Sequence, residues 1–234
     1  MKAIINRELN AYFTSPVGYI FLGVYLLFSG LFFTAINLFN TITEMSYFFS
    51  NLTIILTFIV PLLTMRLFAE ERRNKTDQLL LTAPITVTKV VLGKYFSAVA
   101  LFGFALGITL LYPLILLLYG NPLFFPILAH YLGFFFLGCS LIAIGVFVSS
   151  TTESQITAAI ITFVILLFIQ LSGMITSLFN NAIIKKVIDW LSVMRRYNEF
   201  TTGILSLSSV VFFVSFASVF IFLTIQTIEK RRWS

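Results

Sequence analysis

Charge is what this chain has least of. Between Lys94 and Glu153 it runs 58 residues without Asp, Glu, Lys or Arg. A soluble domain carries roughly 25% charged residues, and here the whole chain has 10%. The long run breaks at Gly120-Asn121-Pro122 and again at Pro126. It therefore reads as a helical hairpin, each arm exceeding the ~20 apolar residues needed to cross about 30 Å of hydrocarbon. Other absences narrow the chemistry. Cys139 is the only cysteine, so an intrachain disulfide and a Cys-built metal site are both excluded. His130 is the only histidine, which excludes a His-rich metal site or proton relay. The short alternating segments of a membrane barrel are missing. No Gly-x-x-x-x-Gly-Lys-Ser/Thr loop is present: Gly93-Lys94 lacks the earlier glycine and is followed by Tyr95. If ATP drives this protein, another chain binds it.

What is present is apolar residue in continuous runs, 59% of the 234 residues. A helix satisfies its own backbone hydrogen bonds, which lipid cannot do for it. The fold class is an all-α polytopic membrane protein, a single transmembrane domain over 1–234. Six spans are predicted at about 17–39, 51–67, 95–119, 124–149, 156–178 and 207–227. Pro61 predicts a kink in the second, and Pro113 lies inside the third. The 28 phenylalanines read mainly as lipid-facing filler. No internal repeat is visible.

Residues 1–15 do not read as a cleavable signal, since no short apolar segment with a small-residue cleavage site follows Lys2 and Arg7. Ile5, Leu9, Tyr12 and Phe13 share one helical face opposite Lys2, Asn6, Arg7 and Asn10, which predicts an amphipathic helix lying in the interface. Ser15-Pro16 ends it. Basic residues flank the apolar runs, arguing for membrane orientation rather than nucleic acid as the reason for the net charge of +6. Eleven lysines and arginines fall at the termini and between spans two and three, against Lys185, Lys186, Arg195 and Arg196 after span five. By the positive-inside rule both termini are cytoplasmic. The stretch 178–206 is then an external amphipathic segment, with Ile184, Val187, Ile188 and Leu191 on one face.

The connection 66–94 has the one dense polar pattern. Charged residues Glu70, Glu71, Arg72 and Arg73 lead to an apolar ridge, Leu79, Leu80 and Leu81, and Pro84 closes it. A ridge rimmed by charge suits docking of a short helix into a partner's groove. A solvated loop whose leucines rest on the membrane explains the same pattern. Inside the spans, Asn37, Gln155, Thr157, Thr162, Gln170, Ser172 and Gln226 are expected to bond between helices rather than line a path. Gly103-x-x-x-Gly107 and the Gly138, Ile142, Gly145 face permit close helix approach. No Lys–Glu pair is evident in the spans, which argues against an ion-coupled carrier. A membrane-embedded enzyme lacks a catalytic His/Asp/Glu set, and a structural scaffold remains a further alternative.

The runs Arg66-Leu-Phe-Ala-Glu-Glu-Arg, Thr76-Asp-Gln-Leu-Leu-Leu-Thr-Ala-Pro-Ile-Thr and Val91-Leu-Gly-Lys-Tyr-Phe closely resemble the membrane subunits of type-two ABC exporters. The gliding-motility-associated permeases are the branch they resemble most. The likeness extends to Arg7-Glu-Leu-Asn-Ala-Tyr-Phe-Thr-Ser-Pro-Val-Gly-Tyr and Glu229-Lys-Arg-Arg-Trp, and so covers essentially the whole chain. It implies that the 66–94 segment holds a coupling helix seated in a cytoplasmic ABC ATPase. It also implies that the N-terminal helix lies beside that segment. Two permease subunits, identical or sister, would pair around the substrate path in a bacterial plasma membrane. The implied coupling residues are Glu70, Glu71, Arg72, Arg73, Thr76, Leu79, Leu80, Leu81, Thr82 and Pro84. The implied partners are the ATPase, the second permease and lipid, not nucleic acid. This chain itself would be no enzyme and hold no cofactor, ATP and Mg residing in the ATPase.

Overall fold

A computed structural model describes residues 1–76, 86–120, 122–178 and 192–232. Among these, helices account for nearly all the ordered backbone. They are α1 (Lys2–Thr14), α2 (Pro16–Phe32, continued by a π-helical turn Phe33–Leu38), α3 (Ser46–Thr64), α4 (Arg66–Arg73) and α5 (Val87–Ile108). They continue with α6 (Leu111–Leu116), α7 (Phe124–Thr151), α8 (Gln155–Leu178), α9 (Val193–Thr201) and α10 (Leu207–Arg232). Six stretches are long and apolar enough to cross a membrane: Pro16–Leu38, Ser46–Arg73, Val87–Leu116, Phe124–Thr151, Gln155–Ser172 and Leu207–Arg231. The protein is a multi-pass helical membrane protein.

Spans four and two form the middle of the bundle. Of their most apolar windows 72% and 67% are buried, against 22%, 17% and 22% for spans one, five and six. The outer three leave most of their apolar side chains on the outside of the bundle. Phenylalanine does both jobs: Phe21, Phe48, Phe49, Phe102, Phe134 and Phe200 are fully buried, whereas Phe58, Phe104, Phe168 and Phe222 are exposed. The expectation of filler alone misses the buried set. Glycines let the central helices close up. A Cβ at Gly138 would fall 2.2 Å from the Phe102 ring, and one at Gly145 would fall 2.2 Å from Thr64 Oγ1. That face of span four is consumed within the chain, while Gly107 has open space around it.

Proline and serine set the breaks. Pro113 offers no N–H to the carbonyl of Thr109, and the chain leaves the helix there, between α5 and α6. The hydroxyl of Tyr131 donates to that carbonyl at 2.6 Å. At Pro61 helical bonding resumes at once, the Met65 N–H donating to the Pro61 carbonyl at 2.9 Å. A break in the helix comes one turn later, at Met65. There Ser149 of span four accepts from the Phe68 and Ala69 amides at 3.1 and 3.2 Å and donates to the Met65 carbonyl at 3.1 Å. A side chain inserted into the ladder is a recognised cause of a helix joint.

The N-terminal helix ends where expected, with Ser15 extended and Pro16 opening α2. Span three begins at Val87 rather than near 95, so Lys89 and Lys94 lie in helix. The residues Ile184, Val187, Ile188 and Leu191 lie outside the described residues. The next part of that segment, α9, tucks into the bundle: Val193, Tyr197 and Phe200 are buried. Phe200 packs on Gly133, and the Tyr197 hydroxyl reaches the Phe49 carbonyl at 3.4 Å. Inter-helix polar bonding is also present, as Gln170 of span five donates to Thr53 of span two at 3.2 Å.

Span six runs alongside span four in the same direction, Phe213 beside Ser140 and Phe220 beside Phe147. The C-terminal end of α10 therefore lies at the same end of the bundle as Thr151. The N-terminal helix packs against α5 there, so both termini share one end.

Candidate functional site: a charged junction at the ends of spans two and three

Three elements meet at the termini end of the bundle: α1, α4 and the first turns of α5. On α1 the buried stripe is Ile4, Glu8 and Tyr12, spaced by four. Ile5 and Leu9 are half-buried to its side, and the exposed Phe13 ring sits edge-on to Phe104 of span three at 6.5 Å. Ile4 rests on Gly93, where any Cβ would fall 2.7 Å from its methyl group. Tyr12 donates its hydroxyl proton to the Leu63 carbonyl at 2.8 Å, tying α1 to the end of α3. Burial pushes its phenol well above the ordinary range.

Lys94 is the centre of the junction. Its side chain is 1% exposed, and its Nζ lies 3.1 Å from Glu8 Oε1 and 3.0 Å from Glu71 Oε1. It also donates to the Leu67 carbonyl at 2.6 Å and sits over the Phe68 ring at 5.2 Å. Three elements are thus held by one ammonium. Arg7 bridges the same two carboxylates from the outside, 2.7 Å from Glu8 and 2.8 Å from Glu71. Arg66 pairs with Glu70 at 3.2 Å, hydrogen-bonds the Ser15 hydroxyl and lies over the Tyr12 ring. Three cations, Arg7, Arg66 and Lys94, face three carboxylates, Glu8, Glu70 and Glu71, so the cluster is neutral as a unit. Neutrality matters because an unpaired charge here would cost several kcal/mol. Burial raises the Glu8 carboxyl, but Lys94 and Arg7 outweigh it, holding the group below its usual value of 4.5. The hydrogen bond to Glu8 is the main cause that raises the Arg7 guanidinium, against burial.

The other side of α4 is fastened to span four. Besides Ser149, Arg72 donates to the Thr151 carbonyl at 3.0 Å and pairs with Glu153 at 2.7 Å. α4 then stops on a left-handed residue, Lys75, with φ of 55°. The Thr76 N–H bonds the Glu71 carbonyl and the Lys75 N–H bonds the Arg72 carbonyl, a paired closure typical of helix C-termini. The junction encloses a cleft of about 280 Å³ between α1 and α4.

Of the residues singled out in the sequence, the structure brings Glu70, Glu71 and Arg72 into this junction, each paired within the chain. Arg73 is exposed, and Thr76 closes the helix. Leu79, Leu80, Leu81, Thr82 and Pro84 lie outside the described residues. The sequence reading missed Glu8, Ser149 and Glu153 as parts of the site and read Lys94 as a loop charge. It also found no Lys–Glu pair, whereas Lys94 makes two. The recoverable signal is Glu8 itself, spaced by four from both Ile4 and Tyr12.

These features define a class: a six-span helical membrane protein with a fastened charged junction between spans two and three. Residues 27–228 match the family model described as ABC-2 family transporter protein. The chain belongs to that family and is an ABC transporter permease. Comparison with curated proteins gives no match.

Proposed function

We propose that this chain is the transmembrane subunit of an exporter driven by a separate cytoplasmic ATPase, which grips the 66–94 segment. The observation that carries this reading is the fastening of α4 on both sides. Lys94 and Glu71 tie it to span three, with Glu8 adding the N-terminal helix. Ser149 and Arg72 tie it to span four. A push on α4 is therefore delivered to two spans and the N-terminal helix together, as a link between an ATPase and a transport path requires.

In this reading Glu70, Glu71 and Arg72 anchor the segment. Leu79, Leu80, Leu81, Thr82 and Pro84 form the part that the ATPase grips, with Arg73 and Thr76 at the exposed exit from α4. ATP and Mg belong to the ATPase. The junction end, with both termini, faces the cytoplasm of a bacterium. Two such chains, identical or sister, flank the substrate path. The sequence likeness favours export and the gliding-motility-associated branch.

An ion-coupled carrier also uses buried ion clusters. Lys94 lies in the second turn of α5, beside a cleft at the bundle's end, rather than halfway along a span. That position favours a mechanical over an ion-carrying role.

The test is copurification from detergent with an ATP-binding protein encoded beside this chain. The native chain retains that protein. Leu80→Asp with Leu81→Asp loses it while keeping the native elution volume. Retention by the double variant, with transport intact, refutes the coupling assignment.

A further inference from the structure

At the end of the bundle opposite the junction lies a second cavity, of about 360 Å³, which the coupling reading does not use. Three connections build it: Thr43–Met45 after span one, the first turns of α7 from Leu123 to His130, and Thr201–Gly203 between α9 and α10. Its volume is within the range of small-molecule pockets.

The chain's one histidine stands in its wall. His130 is 2% exposed, and its Nδ1 lies 2.8 Å from the Phe200 carbonyl. A carbonyl only accepts, so Nδ1 carries the proton and the neutral ring turns its lone pair outward at Nε2. That nitrogen has no hydrogen-bond partner among the described residues. Further acceptors line the cavity beside the Thr43 hydroxyl. The Thr201 and Thr202 hydroxyl protons are spent on the Asn198 and Glu199 carbonyls, leaving oxygen lone pairs. Glu44 brings a carboxylate, of which Oε1 takes the Ser46 hydroxyl and Oε2 stays available. Among the described residues no lysine or arginine lines the cavity, and Met45, Leu123, Pro126 and Ile127 supply apolar wall.

We propose that this cavity binds a primary ammonium group carried on a short alkyl body. The ammonium donates to His130 Nε2, the Glu44 carboxylate offsets its charge, and the apolar wall takes the carbon chain. An anion would face the Glu44 carboxylate and the Nε2 lone pair, with the Thr43 hydroxyl as the one unspent side-chain donor among the described lining residues. A neutral alkane would leave Nε2 buried and unpaired.

Because there is one histidine, ring-¹⁵N histidine labelling of the full chain, purified without a polyhistidine tag into lipid nanodiscs, gives one pair of imidazole signals. At pH 8, n-butylammonium should shift the unprotonated ring nitrogen saturably, and n-butanol and butyrate at equal concentration should not. Glu44→Gln, an exposed position, should raise the half-saturation concentration about tenfold or more, the value of a lost charge-assisted contact. Equal shifts with butanol or butyrate overturn the proposal, as does an unchanged titration in Glu44→Gln. A doubly protonated ring at pH 8 also overturns it. Two nanodisc lipids separate the sources. A shift produced by phosphatidylethanolamine but not phosphatidylcholine, before any amine is added, assigns the group to a lipid headgroup. A shift that appears only with butylammonium assigns it to a free amine.

Discussion

Lys94 Nζ lies 3.0 Å from Glu71 Oε1, joining the second turn of span three to the helix that continues span two. The same ammonium holds Glu8 of the N-terminal helix, and all three side chains are at least four-fifths buried. Breaking a buried pair by removing one partner leaves the other charge uncompensated, a loss of about 3–5 kcal/mol. Lys94→Met should therefore lower the unfolding midpoint sharply. Adding Glu8→Gln should restore part of it, because Arg7 and Glu71 then remain as a balanced pair at 2.8 Å. Thermal unfolding followed by a thiol-reactive dye reads this directly, since Cys139 is the only cysteine. A double variant no more stable than Lys94→Met would contradict the assignment.

Acid should loosen the same junction. The Glu8 carboxyl is held below its usual 4.5, mainly by Lys94 and Arg7 working against burial. A depressed carboxyl contributes stability that is present above its unfolded value and lost as pH falls through the folded value. The unfolding midpoint should thus hold from neutral pH to about 5 and fall below 4.5. Glu8→Gln should flatten part of that decline. A decline of unchanged size in the variant would place the acid sensitivity elsewhere.

Ser149→Ala removes the hydroxyl shared by the Phe68 and Ala69 amides and the Met65 carbonyl. The expected cost is about 1–3 kcal/mol if those buried groups stay unpaired. It falls below 1 kcal/mol if the helix ladder closes across Met65. Backbone amide exchange at Phe68 and Ala69 separates the two: fast exchange accompanies the larger loss, and protection the smaller.

Gly145→Ala tests the contact of spans two and four just inside the junction. The new methyl would fall 2.2 Å from Thr64 Oγ1 and 2.8 Å from Thr64 Cβ. Span two must move away, at about 1–3 kcal/mol for overpacking. Gly107→Ala, with open space at that position, should change the midpoint little. Equal effects from the two would mean that spans two and four are not in close contact.

The six spans are legible because each is a continuous apolar run bounded by charge or by Gly and Pro, a local property of the sequence. The start of span three is not, because Lys89 and Lys94 read as loop charges by composition. A lysine can be buried only when its counter-ions arrive from elsewhere. Here one arrives from Glu8, 86 residues away, so no local pattern announces it. Ser149 is equally silent: a serine in an apolar helix reads as filler until span two presents an interrupted ladder to it. Pro61 has a strong local signature, yet it lies inside α3 and the break between α3 and α4 falls at Met65. Glu70, Glu71 and Arg72 are visible as a charged run, but the run does not reveal that each faces a partner within the chain.

The central claim is that the 66–94 segment is cytosolic and held by a separate ATPase. Arg73, exposed on α4, offers the most direct probe. In an Arg73→Cys, Cys139→Ser chain, a membrane-impermeant maleimide should fail to label intact cells and should label inverted vesicles. Labelling should drop again when the copurifying ATPase is bound. Labelling of intact cells, or labelling of vesicles that the bound ATPase leaves unchanged, would contradict the account.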